Sequence, residues 1–434
     1  MIMKNIYQYV AYLLYCMAYV MVVDSVLDDY YYHVTSPLIA YEKSFSWLRL
    51  CLCLPILMLI FYKFIVNGTR DFFKKCFLWF SFIIYFTPLV LSFALFDHKY
   101  SNEFFCASII FMACFVCFIS KLNINVLKID FDSIIPFEKK KWNDELFILI
   151  AIVITITLIN SINGFSFSYN LLDVYEIRKN FSSEGNIFLT IIKSALGGVV
   201  FPAAIVKYFE EKKYIYGCTF IGLQLCMFSL AKDKTYFFMI FVCLILVAFK
   251  TIIYKDGERL FLIGLLGLSA LNIISMLNIY TNVFFNIVVR RLSIIPTWIS
   301  YLYFEFFFDH KKLMWMQETV LINHFFYPPY EMSLREIISY EYFQGVVGNP
   351  NNGMVGIAFA NFGWLGLVVF PILISILINI YKEAFKNGTR LVQIIVALAV
   401  SQIYINDSFT STAYVYSFLC VMVFSRFFNT RDGN

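Results

Sequence analysis

The chain has 434 residues, of which 61% are hydrophobic and 20% aromatic, while only 15% are charged, for a net charge of +5. Its mean hydropathy is +0.74. A soluble domain of this make-up would lack the polar surface it needs to face water, and barrel strands would alternate apolar and polar residues over about ten positions. Repeated apolar runs of about 20 residues instead match the hydrocarbon core of a bilayer. The expectation is an all-α polytopic integral membrane protein.

Met1 to Leu27 carries one early Lys4 and then a long apolar run without a small-residue cleavage site. It reads as a retained first span, not a removable signal. Further runs lie near 47–66, 76–96, 104–120, 146–165, 186–208, 214–231, 236–254, 260–280, 353–381, 391–406 and 411–427. With the first span they predict about twelve transmembrane helices. Nine of these fall in 1–280 with short loops, a long extracytoplasmic loop with interfacial helices follows over 281–352, and three helices occupy 353–434. Alternate connections hold the larger share of Lys and Arg, among them Arg70, Lys74, Lys75, Lys139, Lys140, Lys141, Lys212 and Lys213. By the positive-inside rule those are cytoplasmic, and so are both termini. The Lys139–Lys141 run is then a topology signal, not a nucleic-acid site. The 11 cysteines lie in apolar segments. Pairs such as Cys51 with Cys53 or Cys114 with Cys117 read as small buried hydrophobes, with neither a disulfide framework nor a metal site implied.

Three connections on the other face carry the candidate chemistry. The loop 161–186 contains Asp173-Val174-Tyr175-Glu176-Ile177-Arg178, and a tight connection reads Ala231-Lys232-Asp233-Lys234-Thr235. The third is the long polar stretch from Tyr280 to Gly353, with Arg290-Arg291, Glu305, Asp309-His310, His324, Arg335 and Asn349-Pro350-Asn351-Asn352-Gly353. Arg and Lys gathered at one membrane face suit a lipid-linked phosphate or diphosphate, because guanidinium meets phosphate oxygens in a bidentate fork and steadies charge on a leaving diphosphate. The plainer reading of each cation is snorkelling toward headgroups. Ile294 to Phe308 is aromatic and apolar, with Pro296 placed for a first helical turn, and is expected to lie in or dip into the interface. Glu305 is either a general base or an ion-pair partner. His310 and His324 are either proton acceptors for a sugar hydroxyl or ordinary surface histidines. Asn349, Asn351 and Asn352 can offer amides to sugar hydroxyls. Gly353, Gly356, Gly363 and Gly366 form a small-residue face for close helix packing.

Tyr175-Glu176-Ile177-Arg178, the Lys234-Thr235 opening of a span, Arg290-Arg291 followed by Pro296, and the glycine spacing of Asn351 to Gly366 together resemble the Wzy-type O-antigen and oligosaccharide repeat-unit polymerases. The resemblance covers the whole chain in topology and only these short pieces in sequence. It implies a GT-C-like glycosyltransferase of the bacterial inner membrane that joins repeat units carried on undecaprenyl diphosphate at the periplasmic face. It would make Arg178, Lys234, Arg290 and Arg291 the cations that hold diphosphate. It implies no metal or other cofactor, and a partner that sets chain length. Two other readings stand beside it: an O-antigen ligase transferring glycan to lipid A-core, and a flippase for lipid-linked glycan, which would be expected to show two related halves.

Overall fold

A computed structural model of the chain describes residues 2–33, 44–122, 143–160, 187–231, 234–277, 285–310, 313–316, 329–330, 332–343, 353–406 and 412–428. Among these the chain is all-helical. Seven stretches are long and apolar enough to cross a bilayer: Ile6–Ser25, Trp47–Val66, Phe72–Leu95, Ser101–Lys121, Ile191–Glu210, Arg259–Met276 and Met354–Ala384. The other five predicted stretches also hold helices: Asp144–Asn160, Tyr214–Ala231, Lys234–Ala248, Arg390–Asn406 and Thr412–Ser425. By packing the chain forms two compact units. Unit 1 comprises Met1–Asn123, Asp256–Ile378 and Ser401–Ser408, and unit 2 comprises Ile124–Lys255, Asn379–Val400 and Phe409–Asn434.

In unit 1 the direction of each helix follows from its end contacts. Ser44 and Ser46 donate backbone N–H groups to Leu95 and Ala94 at 3.0 and 2.9 Å, and Arg49 pairs with Asp97 at 3.1 Å. These contacts gather the start of helix 47–66, the end of 72–95 and the start of 101–121 at one end, here the Lys99 end. At the opposite end Lys74 Nζ donates to the Leu122 carbonyl at 2.8 Å. Gly257 lies against Phe72, and a Cβ on Gly264 would sit 2.8 Å from Trp79, so helix 257–277 runs parallel to 72–95.

Four described stretches take the wider π form, and three of them share one feature. The π stretches Phe82–Phe86, Leu196–Val200 and Phe285–Ile294 each end two residues before a proline: Pro88, Pro202 and Pro296. Proline has no N–H, so the carbonyl five residues before it loses its partner in the π ladder. In an apolar setting that carbonyl needs another donor. Tyr15 Oη donates to the Ile83 carbonyl at 2.9 Å, and Gln224 Nε2 donates to the Gly197 carbonyl at 2.9 Å. In each case the lost backbone bond is replaced by a side chain from a neighbouring helix.

The expectation for Ile294 to Phe308 is corrected. The segment forms helix Ile295–His310, continuous with the π stretch Phe285–Ile294, and ten of its residues, from Pro296 to Phe307, are buried. It is a core helix of unit 1, not one lying on a surface, because helix Met354–Phe362 covers it through glycines. A Cβ on Gly356 would meet the Ser300 carbonyl oxygen and Tyr303 Cβ at 2.7 Å each, and one on Gly353 would meet Ser300 Oγ at 1.6 Å. The predicted span 353–381 is likewise not one straight helix. Gly363, at φ 58° and ψ −140°, takes a conformation open essentially to glycine alone. The chain folds back so tightly there that a Cβ on Gly366 would lie 1.9 Å from the Ala358 carbonyl oxygen. Met354–Phe362 thus runs toward the Lys99 end, and Gly366–Ala384 returns.

Candidate functional site

The depth of Arg290 and Arg291 follows from their neighbours. Val289 and Ser293 share a cavity wall with Ile83, Leu268 and Tyr15. At 1.5 Å per residue, Ile83 lies about 16 Å along its helix from Phe72, and Leu268 about 16 Å from Gly257. The hydrocarbon core is about 30 Å thick, so in a bilayer crossed by those two helices the arginine pair, inside the stretch Phe285–Ile294, lies near half depth and not at the Lys99 end where a surface clamp would sit. Both side chains are half-buried. A charged group at that depth must face protein or a polar cavity.

About two and a half turns beyond the arginine pair, the helix meets a buried polar node. Tyr85 Oη and Ser300 Oγ share a hydrogen bond of 2.7 Å, and Val355 donates its backbone N–H to Tyr85 Oη at 3.0 Å. The node anchors the first turn of helix 354–362, whose Gly353 has no side chain of its own to cap it. The other end of that helix is held by chain 313–316. Met314 N–H donates to the Ala360 carbonyl at 2.9 Å and Trp315 N–H to the Asn361 carbonyl at 3.2 Å. Met316 N–H donates to Asn361 Oδ1 at 2.7 Å. Trp315 and Met316 take positive φ, 49° and 58°, an uncommon conformation for such side chains that aims three successive N–H groups at the helix end.

Glu305 and His310 stand at the Lys99 end. Lys99 Nζ pairs with Asp309 Oδ2 at 2.9 Å, and Tyr100 Oη donates to Asp309 Oδ1. These hydrogen bonds from Tyr100 and Lys99 hold the Asp309 carboxyl below its ordinary range, and the hydrogen bonds Lys99 makes to Asp309 and Tyr100 raise the lysine in turn. Glu305, one turn earlier and outside the seven candidate spans, is half-buried. Burial raises its carboxyl, against Lys99 and the Tyr301 hydroxyl, which lower it. Two carboxylates one turn apart are therefore pushed in opposite directions, the pattern of an acid–base pair and equally of a structural ion pair. His98 packs between Tyr301 and Trp298, with ring centroids 4.1 and 4.9 Å away. Burial pushes its imidazole down to about 4, so it is a neutral aromatic plug at pH 7. His310 Nδ1 donates to its own helix at the Phe306 carbonyl, 2.9 Å away, and its ring stacks on Phe306 at 4.0 Å.

The predicted catalytic set therefore separates. Arg291 and Glu305 are fourteen positions apart on one continuous helix, which is about 20 Å along its axis. No single reacting bond touches both. Lys234 opens helix Lys234–Ala248 in unit 2, with its side chain half-buried. Arg178, His324, Asn349, Asn351 and Asn352 lie outside the described residues. Among the described residues, no group of three or more His, Cys, Asp or Glu is placed to hold a metal. Sequence reading overlooked Tyr85, Ser300 and Asn361, which do not stand out among many polar residues in apolar runs. It also overlooked Asn272, for which a lone amide deep in a span was an available signal.

Glu305 gives a pH prediction. Its folded proton affinity is raised, so folding favours its neutral form, and its ionisation costs stability as pH rises from the ordinary glutamate value through the raised folded one. Glu305→Gln is expected to be at least as stable as wild type at neutral pH, with the gain disappearing toward about pH 4. Thermal unfolding of the detergent-solubilised chain across that range measures it. A loss at neutral pH would mean that the ionised carboxylate holds the Lys99 end together.

The chain matches no protein-family model, no curated protein and no solved structure.

Proposed function

We propose that the chain is a membrane glycosyltransferase that joins undecaprenyl-diphosphate-linked oligosaccharide repeat units into a surface polysaccharide. In this reading it crosses the bacterial inner membrane about twelve times, with both termini cytoplasmic and the Lys99 end outermost. The observation that supports it most is the 285–310 helix, which carries two arginines at half depth and an acid–base cluster at its outer end. A lipid diphosphate suits the first, and the polar rim at the second suits sugars. The roughly 20 Å between them is a distance that an oligosaccharide covers and one bond does not.

In the reaction, a hydroxyl oxygen of the incoming unit bonds to the anomeric carbon of the growing chain. The bond from that carbon to the diphosphate breaks, the lipid diphosphate leaves with the electron pair, and the hydroxyl proton is released. Arg290 and Arg291 stabilise the charge gathering on the leaving group. Arg178 and Lys234 are further candidate diphosphate ligands, and Asn349, Asn351 and Asn352 candidate sugar ligands. Glu305 and His310, too distant from the arginines to act on the same bond, move from the role of base to that of the glycan rim.

Arg290→Ala and Arg291→Ala, expressed in a deletion strain at wild-type protein level, are expected to leave single-repeat glycan in place of a ladder. Normal ladders in both variants would overturn the assignment. Translocation of the lipid-linked unit is a second reading, favoured by the half-depth arginines and by helices interrupted inside the bilayer. The same variants separate the two. A failed polymerase leaves lipid-linked single units at the outer face, whereas a failed flippase retains them at the cytoplasmic face.

A further inference from the structure

The π stretches Phe82–Phe86 and Leu196–Val200, two of the three that run up to a proline, each have a side chain from a neighbouring helix donating to the carbonyl that proline releases. Beside the third stands Asn272, on helix Gly257–Leu277. Its side chain is 2% exposed, yet among the described residues Nδ2 has no hydrogen-bond partner. Asn272 lines a cavity of about 20 Å³ together with Tyr15, Tyr19, Val289, Leu292 and Ser293. That volume holds a group the size of one water. A buried amide donor left unpaired is destabilising, and hydrocarbon offers it nothing. Tyr15 Oη already donates to Ile83, so its oxygen is left as an acceptor. Ser293, 6% exposed, brings a hydroxyl to the same wall, two residues beyond Arg291.

We propose that this cavity is a hydrogen-bonding subsite for one phosphate oxygen of a polyprenyl diphosphate, with Asn272 Nδ2 as the donor that fixes it beside the arginine pair. The subsite rests on the function proposed above, since it takes that reading's diphosphate as its ligand. An oxygen acceptor of that size completes the amide, and an anionic one matches a cavity whose π stretch carries two guanidinium groups. A hydrogen bond to a charged oxygen is worth more than one to a neutral oxygen, so the amide contributes affinity as well as orientation.

The experiment uses the full chain in nanodiscs, with undecaprenyl diphosphate and undecaprenol as probes. Asn272→Leu is expected to weaken undecaprenyl diphosphate binding about tenfold and to leave undecaprenol binding unchanged. Without ligand its thermal midpoint should equal or exceed that of wild type, because the substitution removes an unpaired buried amide in favour of an apolar group of similar volume. Ser293→Ala supplies the same readout if the first variant fails to fold. Unchanged diphosphate affinity, the result if the cavity holds only a structural water, would overturn the subsite and leave the proposed function standing. Equal loss for both lipids would overturn it too, since the effect would then lie in the lipid groove. If wild type itself shows no preference for the diphosphate lipid, the proposed function falls and the subsite with it.

Discussion

Gly356→Ala is expected to lower the stability of the chain by about 3 kcal/mol, at the upper end of what an extra methyl costs in a packed core. The added Cβ would lie 2.7 Å from the Ser300 carbonyl oxygen, 2.7 Å from Tyr303 Cβ and 3.0 Å from Ser300 Cα. Two of these three atoms belong to the backbone of a helix that cannot yield locally. Helices 354–362 and 295–310 would have to separate, opening the Tyr85–Ser300–Val355 node on the way. Gly353→Ala meets a softer obstacle in Ser300 Oγ, together with the Pro296 carbonyl oxygen at 2.6 Å. Ser300→Ala should therefore rescue part of the Gly353 defect and none of the Gly356 defect. Gly267→Ala is the control, because nothing lies within 4 Å of where its Cβ would be. In a helix interior that change is neutral or stabilising by up to about 1 kcal/mol. Thermal unfolding of the three purified glycine variants, and of the first two combined with Ser300→Ala, decides the matter. Equal midpoints for Gly356→Ala and Gly267→Ala would show that the two helices do not depend on close approach.

The glycines show how much of this arrangement the sequence carries. Gly353 and Gly356 are legible as a packing face from their spacing, and they do pack. Gly363 is spaced like the others, yet it turns the chain instead, because the difference lies in φ and not in the sequence pattern. The seven long apolar helices are legible because a bilayer demands about 20 apolar residues in a row whatever they touch. Pro88, Pro202 and Pro296 are equally visible as letters. What Pro88 and Pro202 do to their helices depends on Tyr15 and Gln224 standing opposite, and sequence separation conceals that. The candidate site was misjudged for a related reason. A flexible approach to the helix over Ile294 to Phe308 can bring Arg291 back toward Glu305, whereas the same residues wound into one helix stand about 20 Å apart. Pro296 marks that helix in the sequence, and what the sequence conceals is that it continues back through Arg291 and Arg290, which break the apolar run without breaking the helix.

The second large effect is expected in unit 2, where Asp144 is the counter-charge of a buried lysine. Lys207 is 3% exposed in its side chain and pairs with Asp144 Oδ1 at 3.0 Å, while its Nζ also donates to the Phe427 carbonyl at 2.7 Å. Lys213 reaches the other oxygen, Asp144 Oδ2, at 2.6 Å, and Tyr208 Oη donates to Oδ1 at 3.2 Å. Asp144→Asn removes the charge that all three groups share. Lys213, 40% exposed in its side chain, can turn to water and still has Glu211 at 2.9 Å. Lys207, 3% exposed in its side chain, cannot turn to water, and a buried cation that loses its counter-charge costs about 3–5 kcal/mol. Lys207→Met is expected to cost less, because it leaves Asp144 with Lys213 and Tyr208 and replaces the stem with an apolar chain of similar length. The double variant should then resemble Lys207→Met alone, with most of the Asp144→Asn loss recovered. That asymmetry separates a buried charge pair from two independent contacts, which would add. Thermal midpoints of the wild type, both single variants and the double variant measure it. Additive losses would mean that Lys207 is held by the Phe427 carbonyl and the surrounding rings, with Asp144 serving only Lys213.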